Sequence, residues 1–109
     1  MSKRKHARVV MHRKVDYRHP KGVGNGMLAD LSIRGCLIKE ATFLSVGTRL
    51  SLQLWLPDQE QPVGIEQAIV RWSKEDRFGV SFQDMTPDAQ TRIGQVFQLL
   101  QEAQQPESR

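Results

Sequence analysis

The clearest regularity in the chain is Leu50, Leu52, Leu54 and Leu56 alternating with Ser51, Gln53 and Trp55. A period of two puts the four leucines on one face of an extended strand, and burying that face sets its register. Trp55 points the other way, where a helix cover is expected and an exposed patch is the alternative. Val9, Met11, Val15 and Tyr17 share one parity and read as a first strand. Ile65 to Trp72 reads as another, with Ala68, Val70 and Trp72 on one face, and Phe78, Val80 and Phe82 alternate with Gly79, Ser81 and Gln83 in a third. A shorter run, Met27 to Leu31, pauses at Gly35 before Cys36, Leu37 and Ile38 resume it, which predicts a hairpin. The intervals carry turn chemistry: His19 to Gly26 reads as a loop, Pro57 to Gly64 as an interruption, and Lys74-Glu75-Asp76-Arg77 as a turn. About six short strands separated in this way predict a small antiparallel β-barrel.

The period changes at Thr86-Pro87-Asp88. Thr86 suits the N-cap, Pro87 the first helical position, and Asp88 the positive end of the helix dipole. Ala89, Ile93, Val96, Phe97 and Leu100 then follow at spacings of three and four, the stripe of an amphipathic C-terminal helix that covers the barrel or docks a partner helix. The expected organisation is a mobile basic leader at 1–8, one barrel with its helix at 9–103, and a frayed polar tail at 104–109.

A chain of 109 residues is long enough for one core and too short for two. No apolar run approaches the length of a membrane span and no secretory stretch opens the chain, so a cytoplasmic protein is expected. The single cysteine, Cys36, has no intramolecular partner and is expected as a small buried hydrophobe. The histidines His6, His12 and His19 lack partners that would make a zinc site, so no metal is expected. The net charge of +4 is uneven: residues 1–21 set eight cations against the single acid Asp16, carrying +7 and leaving −3 elsewhere. Such a patch suits an anionic partner, whether nucleotide, nucleic acid or lipid surface, or is simply a solvated leader.

Within that leader Arg4-Lys5-His6-Ala7-Arg8 reads R-x-x-x-R, and Asp30-Leu31-Ser32-Ile33-Arg34-Gly35 reads D-x-S-x-x-G. A guanine base offers N1–H and N2–H₂ to a carboxylate such as Asp30, and O6 and N7 to an arginine fork. Arginine can also stack on a purine or bridge phosphate oxygens. Ser32, two residues after Asp30, shares its face of an extended strand, and Gly35 permits a sharp turn or a close backbone approach. Each element alone is commonplace, and the ordered pair is what points to a phosphorylated guanine ligand.

These motifs, with the Val70-Arg71-Trp72 and Phe78-Gly79-Val80-Ser81-Phe82 strands and the terminal helix in order, make the chain resemble the PilZ domain, a bacterial receptor module for cyclic di-GMP. The resemblance spans essentially the whole chain and implies a stand-alone, non-catalytic receptor: a six-stranded antiparallel barrel with a C-terminal helix. It implies that Arg4 and Arg8 hold guanine and phosphate, and that Asp30, Ser32 and Gly35 line the base. In some members an aromatic matching Trp72 lies against the ligand, although parity places Trp72 in the core here. Lys3 sits where the family varies between one bound ligand and an intercalated pair, and is otherwise a solvated lysine. The ligand would order the arginine leader and so change affinity for a downstream protein effector. The competing readings are a basic barrel binding RNA or single-stranded DNA, and an adaptor with the fold but no ligand. Aromatics at 6% leave few stacking platforms for polynucleotide, and no credible catalytic constellation supports an enzyme.

Overall fold

The computed structural model describes residues 8–57 and 59–104. Six strands, β1 (Val9–His19), β2 (Gly22–Leu31), β3 (Gly35–Lys39), β4 (Arg49–Leu54), β5 (Val63–Lys74) and β6 (Arg77–Asp84), precede one helix, α1 (Pro87–Gln104). All neighbouring strands are antiparallel and close into a barrel in the order β1-β2-β3-β6-β5-β4. Closure pairs each of the six strands with two neighbours.

The leucine alternation does what its period requires: Leu50, Leu52, Leu54 and Leu56 are all buried, against Val15, Tyr17, Leu28, Ile38 and Phe78. The Tyr17 and Phe78 rings meet edge to face with centroids 5.6 Å apart, a favoured aromatic geometry. The expected loop from His19 to Gly26 is mostly strand instead. β1 turns over Pro20 and Lys21 alone, and His19 pairs directly with Gly22. Gly24 is glycine because the Tyr17 ring occupies the place of its side chain, so composition that suggests a loop serves packing.

Trp55 departs from its expected helix cover and is held by β1. Its Nε1–H donates to Asp16 Oδ2 at 2.9 Å, and the Lys14 ammonium stands 5.8 Å from its ring centroid. The helix starts as its sequence predicts: the Ala89 N–H donates to Thr86 Oγ1 at 3.0 Å, capping the first turn. Ala89, Ile93 and Val96 are buried, and Arg92 ties the helix to the β4–β5 connection through Gln59 and the Pro62 carbonyl. The side chains of Phe97 and Leu100 lie outside the described residues. No described helix is long and apolar enough to cross a membrane.

Candidate functional site

The two halves of the signature meet at one end of the β1–β2 pair. Val9 pairs with Leu31 and Val10 with Asp30, so the residue entering β1 stands beside the end of β2. There Arg8 directs two guanidinium nitrogens at one carboxylate oxygen of Asp30: Nε lies 3.1 Å and Nη2 3.0 Å from Oδ1. Both side chains remain partly accessible, at 35% and 22%. Arg8, the last residue of the expected leader, rests on that carboxylate. Arg4, Lys3 and His6 lie outside the described residues.

Asp30 faces outward because β2 carries a bulge. Leu28 pairs with Ile38, but Asp30, not Ala29, pairs with Leu37. The extra residue lets Leu28 and Leu31, three apart, both point into the core and turns Asp30 out.

Ser32 does not share that outward face. It has left the strand and is 2% exposed, its hydroxyl turned into the hairpin connection. Ser32 Oγ accepts the N–H of Arg34 and of Gly35, each at 3.2 Å, and donates to the Gly35 carbonyl at 3.3 Å. The Ser32 N–H donates to the same carbonyl at 2.9 Å. The hydroxyl thus spends its proton and both lone pairs on the turn. At Gly35 the backbone φ is not in the left-handed region, and close approach requires glycine: a Cβ there would collide with the Val80 carbonyl oxygen. Next to it Cys36 is fully buried, as expected; burial pushes its thiol pKa up, the nearby Asp30 carboxylate adds to the rise, and Arg8 opposes it.

Across the barrel surface, Asp30 pairs with Leu37, Leu37 with Gly79, and Gly79 with Trp72, forming one register row over four strands. Strict parity puts Trp72 with Ala68 and Val70 in the core. A bulge in β5 overturns this: Val70 pairs with Val80 but Trp72 with Gly79, so the two residues face opposite sides. Val70 is fully buried and Trp72 is 44% exposed, its indole occupying the space above Gly79 where a side chain would stand. Two residues nearer the signature turn, Ser81 pairs with Gly35, and Arg71 Nε donates to Ser81 Oγ at 2.9 Å. Alternation alone gave no reason to single out Arg71 or Ser81, because their contact depends on the bulge and on strand order.

The face therefore combines a carboxylate acceptor, arginine donors and an accessible indole above Gly79, chemistry suited to a planar, anionic ligand. Among the described residues no group of three or more histidine, cysteine or acidic side chains is placed to hold a metal ion.

Comparison with known proteins agrees with this architecture. The PilZ domain family model matches residues 2–98. No curated protein matches the sequence. Among solved structures, the fold is similar to the PilZ domain of CeSA from a cellulose-synthesising bacterium, with TM-score 0.69 and 16% identity over 87% of this chain and 98% of that one. It is also similar to the Bacillus subtilis inhibitor of motility MotI/DgrA, with TM-score 0.77 and 20% identity over 96% of this chain and 54% of that one. A third is the PilZ domain of YcgR from Escherichia coli, with c-di-GMP: TM-score 0.76 and 14% identity over 94% of each chain. With the family match running through both signature motifs and all six strands, this chain belongs to the PilZ domain family.

Proposed function

We propose that this protein is a non-catalytic receptor for cyclic di-GMP. The observation that carries the reading is the meeting of Arg8 and Asp30, 22 residues apart in sequence, beside a turn held by the Ser32 hydroxyl. In this reading Asp30 accepts the guanine N1–H and N2–H₂, while Arg4 and Arg8 address O6, N7 and phosphate oxygens. Ser32 and Gly35 line the base by fixing the backbone of the turn, Trp72 offers its accessible face to the ligand, and Lys3 adds charge for a second nucleotide.

The Arg8–Asp30 pair gives the signal a physical step. The ligand must take Asp30 from Arg8, and the displaced guanidinium is re-paired with the ligand's own oxygens. Exchanging one ion pair for another costs little at a partly exposed site, yet it moves the segment that carries Arg4. The rearranged N-terminal segment presents a changed surface to a downstream protein effector in the cytoplasm.

Calorimetric titration with cyclic di-GMP tests the reading. Saturable binding at micromolar or tighter concentration is expected at low salt, with strong preference over cyclic di-AMP and loss in Arg4→Ala and Asp30→Ala. Absence of saturation, or equal binding of the adenine analogue, would refute it.

A further inference from the structure

Resting on that receptor reading, we propose that Arg71 is a ligand-binding residue that anchors a phosphate on the far side of the site. The β5 bulge turns Trp72 outward beside Arg71, which is itself exposed. The Arg71 side chain lies over β6, because its Nε donates to Ser81 Oγ at 2.9 Å, and Gln83 Nε2 donates to the same oxygen at 3.0 Å. Only one nitrogen of the fork is used there; among the described residues Arg71 forms no ion pair. A guanidinium fixed through Nε presents its two terminal nitrogens as a pre-oriented pair, the arrangement that grips two oxygens of a phosphate.

Its position matches the remainder of the site. Ser81 pairs with Gly35 and lies two strands from β2, which carries Asp30. At the usual strand spacing this is about 10 Å across the sheet, within reach of a dinucleotide whose base sits on Asp30. The floor between them is formed by Gly35, which has no side chain, by the half-buried Leu37 beside Asp30, and by Gly79, over which lies the flat indole of Trp72. Arg8 and Arg71 thus stand as cations on either side of a shallow shelf, with Asp30 at one edge and Trp72 at the other.

Titrating cyclic di-GMP into the full 109-residue chain at two salt concentrations tests the assignment. Arg71→Gln is expected to weaken binding about tenfold, the usual scale for a charge-assisted hydrogen bond, and to flatten the salt dependence. Its melting temperature should match the wild type, because the side chain is exposed. Arg71→Lys, which keeps the charge and loses the fork, should fall between the two. Ser81→Ala, which frees Arg71 without removing its charge, should weaken binding about threefold and leave the salt dependence intact. Wild-type binding with Arg71→Gln within twofold and equally salt-dependent overturns the assignment alone. Absence of wild-type binding overturns it together with the receptor reading.

Discussion

Replacing Ser32 with alanine separates two roles that the signature motif confounds. If the hydroxyl served only a ligand, its removal would leave the folded protein unaffected. In the structure Oγ is buried and accepts two backbone N–H groups, from Arg34 and Gly35, both at 3.2 Å. Alanine strands both donors. The Gly35 bond is buried and the Arg34 bond partly so, so the first donor bears most of a desolvation penalty of about 1–3 kcal/mol, while water recovers part of the second. The backbone bond from Ser32 N–H to the Gly35 carbonyl at 2.9 Å survives and keeps the turn from opening fully. A net loss of about 2 kcal/mol is expected, which lowers Tm by roughly 8–16 °C in a domain of this size. Asp30→Ala provides the contrast: its partly exposed pair with Arg8 is worth about 0.2–1 kcal/mol, so it should melt within a few degrees of wild type while losing ligand. Guanidinium unfolding followed by circular dichroism measures both, and hydrogen exchange should show the Gly35 amide opening faster in Ser32→Ala alone. A Ser32→Ala midpoint indistinguishable from wild type, at unchanged m-value, would show that the hydroxyl does not hold the turn.

Gly35→Ala should destabilise the barrel by about 1–3 kcal/mol through the collision with the Val80 carbonyl, and thermal melting that shifts by less than a degree would contradict that contact. Thr86→Ala removes the cap on the Ala89 N–H and should cost about 1 kcal/mol, read from the denaturation midpoint, with ligand affinity unchanged. Cys36 is neutral in the folded state well above its ordinary value of 9.0, whereas the unfolded chain loses that proton near the ordinary value. The unfolded state therefore binds fewer protons above about pH 9, and stability should fall there by up to ~1.4 kcal/mol per pH unit. Below pH 8 the slope from this group should vanish, and in Cys36→Ala the alkaline component should be missing. The native thiol should also resist a thiol-reactive dye at pH 8 until denaturant is added; rapid stoichiometric labelling of folded protein would contradict its burial.

Much of this molecule is legible in its sequence because the governing interactions are local. The leucine alternation at 50–56 determines a buried face, since side chains on an unbroken strand alternate by stereochemistry alone. Thr86-Pro87-Asp88 determines where the helix begins, because a cap satisfies donors within one turn. The ordered motifs at Arg4–Arg8 and Asp30–Gly35 identified the family, which depends on residue types and spacing rather than on contacts. What remained for the tertiary structure to decide lies at bulges and across strand pairings. One extra residue in β5 places Trp72 outside and Val70 inside, and one in β2 turns Asp30 away from the core. Parity cannot anticipate either, because a single inserted residue reverses every face that follows. The same holds for Ser32, whose side chain turns inward once the strand ends, and for Gly24, required by a ring from the neighbouring strand. The contacts Arg8–Asp30, Trp55–Asp16 and Arg71–Ser81 join residues 22, 39 and 10 positions apart. Only the register of a closed barrel brings them together, so the chain's own letters name the chemistry of the site while the pairing of its strands decides which groups share it.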